Sequence, residues 1–157
     1  ADPERVCIYG GSYGGYAAMF GVVKEPDLYK CAVPYVGVYD IAIQKDKSDT
    51  RLSKGGKKFL HDAWNAYDSE FVKERSAIYH LDKLKAALLL VHGRMDKRVP
   101  VKNYDDLADK LDEMGYPYES IIEDHEGHGF RQQENVYNLY RKVGKFFDKH
   151  IGANAGE

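Results

Sequence analysis

RVCIY at residues 5–9 runs directly into GGSYGGY at residues 10–16. The apolar run Arg5–Tyr9, ended by Gly10-Gly11, reads as a buried strand. From Tyr13 to about Val23 the residues suit a helix, and Pro26 stops it, because proline cannot continue a helix interior. Cys31–Val36 (CAVPYV) is a second strand, with Pro34 a mark against a regular ladder. Residues 40–80 are less regular: a charged stretch Lys45–Lys58, a helix around Lys58–Tyr67, then Glu70–His80. This segment reads as an excursion over the top of the sheet. Ala87–Val91 (ALLLV) is the clearest strand. Val101–Met114 follows as an amphipathic helix with Tyr104, Leu107, Ala108 and Leu111 on one face, and Gly115 stands where a C-terminal cap belongs. Tyr118–Ile122 is the next strand. Gln132–His150 is a closing helix, with Val136, Leu139, Tyr140, Val143, Phe146 and Phe147 at helical spacing.

Strands alternating with helices predict an α/β fold: about four mainly parallel strands with helices on both faces. Residues 1–151 form one unit, and 152–157 (GANAGE) read as a disordered tail. The chain has 157 residues, 43% of them apolar, and a net charge of −2 from 23 basic and 25 acidic side chains. That composition predicts a folded domain and argues against nucleic acid, which calls for a basic face. No apolar run approaches the roughly 20 residues that span a bilayer, so no membrane partner is expected. No leader peptide is evident at the N-terminus, and the compartment stays open. Cys7 and Cys31 lie in apolar, strand-like runs and read as two buried free thiols. Their spacing fits no zinc motif.

Gly10 to Gly15 contain the pattern G-x-S-x-G, which alone is weak. Its place between a strand and a helix is what a nucleophile elbow requires. The turn is tight enough that side chains two residues before and after Ser12 are expected to collide, which calls for glycine at 10 and 14. Gly15 lets the helix pack close to the strand. Such a turn lifts the Ser12 hydroxyl to the carboxyl end of the sheet and aims the Tyr13 N–H at an incoming carbonyl oxygen. A phosphate-binding loop is the rival, but the Lys-Ser/Thr of a P-loop is missing. A serine hydroxyl needs a base, and the base an orienting acid. Of six histidines, His125 and His128 follow the last strand. His128 stands between two glycines in EGHGF (126–130), and His125 is its rival. His92 reads as a structural residue ending a strand. Asp96 leaves the ALLLV strand in HGRMDKRVP (92–100), and Asp40, after the second strand, competes for the role of acid. The order Ser12, Asp96, His128 is that of α/β-hydrolases. No metal or organic cofactor is implied.

In GGSYGGY, HGRMDKRVP and EGHGF the chain resembles the prolyl oligopeptidase family of serine peptidases, nearest its dipeptidyl-peptidase and acylaminoacyl-peptidase branches. The resemblance implies the C-terminal half of an α/β-hydrolase catalytic domain that cleaves short peptides through an acyl-enzyme, with a β-propeller gating access. It implies that Arg98 holds a substrate carbonyl and that Val99 lines the first specificity pocket. It also implies that Trp64 and Tyr67 form an aromatic wall. Core packing is the alternative for these two, and their spacing does not favour proline specificity. Ala77 and Ala87 stand where relatives commonly carry proline. The resemblance further implies a missing N-terminal part of the parent chain, including the second oxyanion donor, so that only the Tyr13 N–H remains. Two other readings stay open. One is a carboxylesterase-type α/β-hydrolase. The other is an inactive fragment that self-associates through the exposed strand edge at Arg5–Tyr9.

Overall fold

The computed structural model describes residues 2–153 and 155. Among these residues four strands, β1 (Cys7–Gly11), β2 (Cys31–Tyr35), β3 (Ala87–Gly93) and β4 (Tyr118–Glu123), form one sheet in the order β1-β2-β3-β4. All three pairings are parallel. Helix α1 (Tyr13–Lys24) joins β1 to β2. Helices α2 (Ile41–Lys47), α3 (Lys54–Asp62) and α4 (Ser69–Arg75), with three short 3-10 turns, occupy the excursion between β2 and β3. Helix α5 (Lys102–Glu113) joins β3 to β4, and α6 (Gln133–Ile151) closes the chain.

The ALLLV run is apolar throughout because both faces of β3 are covered. Leu88 and Leu90 pack with Met19 and Val22 of α1 and Leu107 and Leu111 of α5. Leu89 and Val91 point the other way, against Leu139, Val143 and Phe146 of α6. Leu88, Leu89 and Leu90 are all at most 1% exposed, and burying each contributes roughly 1.5–3 kcal/mol. A third apolar cluster, with Val38, Ile41, Leu60, Val72 and Val99, sits under the excursion.

Helix α5 ends in a paired cap: Tyr116 N–H donates to Leu111 C=O and Gly115 N–H to Asp112 C=O, a Schellman arrangement. The helix expected at Lys58–Tyr67 lies earlier, at Lys54–Asp62. The Ser53 hydroxyl caps it by accepting the Gly56 N–H, a start signal that the Gly55-Gly56 pair obscures in sequence. Asn65, at φ 41°, turns the chain before Tyr67. Tyr140 shares the spacing of the α6 core residues yet is 60% exposed. It lies on the flank of the stripe, beside Tyr9 of the edge strand.

The expectation of two free thiols is corrected: Cys7 and Cys31 form a disulfide. Each is the first residue of its strand, and the parallel register sets one opposite the other. Their Cα atoms are 4.6 Å apart, within bridging range. Adjacency of two strands and their register are tertiary facts that the separation of the cysteines in sequence does not contain. Of the expected tail, Asn154, Gly156 and Glu157 lie outside the described residues.

Candidate active site

Ser12 sits between the last residue of β1 and the first of α1, at φ 59° and ψ −117°. A non-glycine residue in that region carries roughly 1–3 kcal/mol of backbone strain. The surroundings hold it there. Ser12 N–H donates to Tyr35 C=O at 2.9 Å, and Ser12 C=O accepts from Tyr16 N–H at 3.0 Å. A Cβ on Gly10 would lie 2.4 Å from the Gly14 carbonyl oxygen, and one on Gly15 would lie 2.5 Å from that of Tyr35. A Cβ on Gly14 meets nothing within 4 Å. The steric demand of the elbow therefore falls on positions 10 and 15, and the expectation that position 14 requires glycine is corrected.

The His128 imidazole bridges two partners that lie far apart in sequence. Nε2 is 2.8 Å from Ser12 Oγ, and Nδ1 is 2.7 Å from Asp96 Oδ2. A carboxylate oxygen only accepts, so Nδ1 carries the proton and Nε2 is left to accept from the serine hydroxyl. Asp96 is 5% exposed. Its other oxygen, Oδ1, accepts from the amides of Arg98 at 2.9 Å and Val99 at 2.8 Å. The carboxylate is thus fixed at both oxygens, one toward the backbone of its own loop and one toward the imidazole. Tyr13 opens α1, so its N–H has no carbonyl within the helix and is available beside Ser12.

The acid and histidine loops are joined directly. Arg94 N–H donates to Glu123 C=O and Met95 N–H to Glu126 C=O, each at 2.9 Å. A Cβ on Gly93 would lie 2.4 Å from the Glu126 carbonyl oxygen, so the end of β3 can approach the histidine loop only with glycine there. The rival residues have other work. Asp40 caps α2 by accepting the Ala42 N–H, and His125 is exposed. His92, at the end of β3, is fully buried and donates from Nε2 to Val99 C=O at 2.9 Å. Burial holds its pKa below the ordinary histidine value.

A cleft of about 1050 Å³ opens over Ser12, Tyr13 and His128. Val38, Phe59, Leu60, Trp64 and Val99 supply its apolar wall, and Lys97, Arg98 and Arg131 its cations. Trp64 packs edge-on to Tyr13, with ring centroids 6.1 Å apart, and also against Tyr16 and Phe59. Arg98 is tied by Nε to Asp49 Oδ1 at 2.7 Å. Ser12, Tyr13, Trp64, Arg98, Val99 and His128 therefore meet in one place. Tyr67 does not join them: it is 57% exposed and lies tilted against His61 with the Lys45 ammonium over its ring. Sequence reasoning passed over Ser48, whose fully buried hydroxyl donates to Arg98 C=O at 2.7 Å. It also passed over Asn103, whose Oδ1 accepts from Tyr39 and Asp40. These long-range partners lie about 50 residues or more away, and the local bonds of the same side chains, to Thr50 N–H and Pro100 C=O, do not reveal them.

Residues 1–154 match the model of the prolyl oligopeptidase family. The chain is 30% identical over 168 residues to dipeptidyl aminopeptidase BIII of Pseudoxanthomonas mexicana, covering 97% of this chain and 22% of that protein. It is 25% identical over 157 residues to acylamino-acid-releasing enzyme 1 of Oryza sativa subsp. japonica, covering 96% and 20%. An acylaminoacyl peptidase solved in complex with Z-Gly-Gly-Phe-chloromethyl ketone superposes with a TM-score of 0.84 at 26% identity, over 97% of this chain and 25% of that one. The Pyrococcus horikoshii acylaminoacyl peptidase superposes with a TM-score of 0.86 at 24% identity, over 100% and 26%, a likeness of fold. The chain thus spans about a fifth of the length of these curated relatives.

Proposed function

This chain belongs to the prolyl oligopeptidase family, and from that premise we propose that it acts as a serine peptidase on short peptides through an acyl-enzyme. The observation that carries the proposal is the unbroken hydrogen-bonded series from Ser12 through His128 to Asp96. Ser12 Oγ bonds to the substrate carbonyl carbon while its proton passes to His128 Nε2. The carbonyl electrons move onto oxygen, toward the Tyr13 N–H. Asp96 holds the ring in the required tautomer and stabilises the imidazolium. Collapse of the tetrahedral species breaks the C–N bond, and Nε2 returns the proton to the leaving amine. Water then repeats the sequence on the acyl-enzyme and releases the acid.

The short-peptide reading draws on two supports. The relatives carry the names of peptidases acting at dipeptidyl and acylamino-acid ends, and the wall of Val38, Leu60, Trp64 and Val99 suits an apolar side chain next to the scissile bond. The test is labelling by a fluorophosphonate with turnover of peptide anilides and nitrophenyl esters measured in parallel. We expect one label per chain, on Ser12, absent in Ser12→Ala, with anilide turnover lost alongside. Labelling that persists in Ser12→Ala overturns the nucleophile. Ester turnover with no cleavage of any peptide anilide overturns the peptidase reading in favour of an esterase.

A further inference from the structure

The loop that carries the imidazole is built around a second carboxylate, Glu126, which the mechanism above leaves without a task. Glu126 is 3% exposed. Its Oε2 accepts the Arg131 N–H at 2.9 Å. Its Oε1 accepts the Gln132 N–H and the Asn135 Nδ2, both at 2.9 Å. Its own carbonyl accepts the Met95 N–H from the acid loop. One residue thus ties together the N-terminal turn of α6, the loop holding Asp96 and the segment holding His128. Between these ties the chain makes a one-residue excursion, with Gly127 and Gly129 bridged to each other and His128 at the tip. Phe130 N–H, on the far side of the tip, is bound by the Tyr35 hydroxyl.

We propose that Glu126 is a positioning residue for His128, its two carboxylate oxygens clamping the loop so that one imidazole reaches both Ser12 and Asp96. The inference rests on the reading of His128 as the base. A buried carboxylate with three donors on two oxygens is specific to its charge and shape. Burial alone would raise the Glu126 pKa, but the hydrogen bonds from Asn135 and the amides of Arg131 and Gln132 outweigh it and hold the group below the ordinary glutamate value. An amide side chain cannot replace it. Glutamine keeps one acceptor oxygen and turns an N–H₂ toward the other backbone N–H, leaving two donors face to face in a buried site.

The test is Glu126→Gln beside Gln132→Pro and His128→Ala, with kcat taken per active site titrated by the fluorophosphonate in the two loop variants and per chain in His128→Ala, whose serine lacks the base that labelling needs. Gln132 has φ −68°, which proline adopts without strain, so that variant deletes one donor to the carboxylate. We expect kcat per titrated site to fall about 10- to 100-fold in Glu126→Gln, as misplacement of a reacting group does, with KM held within about twofold. Gln132→Pro should show a smaller loss of the same kind. A merely structural role would lower Tm and the titratable fraction and leave kcat per site unchanged. That result in either variant overturns the inference, and Gln132→Pro decides the matter if Glu126→Gln does not fold. His128→Ala separates the two claims. If it retains kcat, the base assignment fails. If it is inactive while either loop variant keeps wild-type kcat per site, only the role of Glu126 fails.

Discussion

Reducing the Cys7–Cys31 disulfide should lower the stability of the fold without disabling the site. The two cysteines are 24 residues apart, and closing a loop of that length removes unfolded-state entropy equivalent to about 3.4 kcal/mol at 25 °C. For a chain of 157 residues, a loss of that size lowers Tm by about 10 °C. Cys7 and Cys31 stand at the amino ends of β1 and β2, whereas Ser12 follows the carboxyl end of β1, about 16 Å away at the rise of an extended strand. At the Ser12 end the elbow keeps its own bond, from Ser12 N–H to Tyr35 C=O. The assay is thermal unfolding of oxidised and fully reduced protein, with alkylation and mass measurement to count thiols and fluorophosphonate labelling at 25 °C to report on the site. We expect two alkylated cysteines only after reduction, the fall in Tm, and an unchanged labelling rate. Two thiols titrating in denatured, unreduced protein would refute the cross-link. An unchanged Tm on complete reduction would refute the entropic argument.

Asp96→Asn should fold, because its Oδ1 can still accept the Arg98 and Val99 amides, yet lose kcat by about 10⁴ through the wrong histidine tautomer; a loss below tenfold in steady-state kinetics would count against Asp96 as the acid. Gly10→Ala should destabilise by about 1–3 kcal/mol through its collision with the Gly14 carbonyl, whereas Gly14→Ala, in open space on a helix, should be neutral or stabilising by up to about 1 kcal/mol; denaturant melts that rank them the other way would refute the elbow geometry. Among the described residues β1 pairs with β2 alone, so its free edge, with Tyr9 40% exposed, is expected to pair with a second copy in solution; sedimentation velocity giving one monomeric species across the micromolar range would exclude that.

The parts of the fold that were legible in the sequence are those in which neighbouring residues state their own constraint. The two-sided burial of β3 appears as ALLLV, the buried face of α5 as Tyr104, Leu107, Ala108 and Leu111, and the elbow as a serine set among glycines. Ser12, Asp96 and His128 meet because each follows the carboxyl end of a strand, and a parallel sheet gathers such ends on one side. What stayed hidden depends on contacts between distant segments. The disulfide needs the β1–β2 register, and the exposure of Tyr140 needs the position of the sheet edge. The freedom at Gly14 needs the actual path of the elbow, which brings the Gly14 carbonyl and Cα against Gly10 while the direction of a Gly14 Cβ stays open. The family resemblance implies one aromatic wall of Trp64 and Tyr67, but α3 ends at Asp62 and Asn65 turns the chain, so the two aromatics part.

The excursion between β2 and β3 does more than roof the sheet, because one of its turns supports the acid. Ser48 Oγ donates to Arg98 C=O at 2.7 Å, Asp49 N–H donates to Lys97 C=O at 2.8 Å, and the Asp49 carboxylate holds the Arg98 guanidinium. The amides of Arg98 and Val99 in turn hold Asp96. The same excursion contributes Phe59, Leu60 and Trp64 to the cleft wall. The cleft wall and Asp96 therefore share one support, and three contacts join the wall segment to residues 97 and 98. If this segment and the loop of Asp96 move as one, the cleft and Asp96 change together. A change that widens the cleft by moving residues 48–60 should alter kcat as well as KM, whereas one that trims a side chain in place, such as Leu60→Val, should alter KM alone.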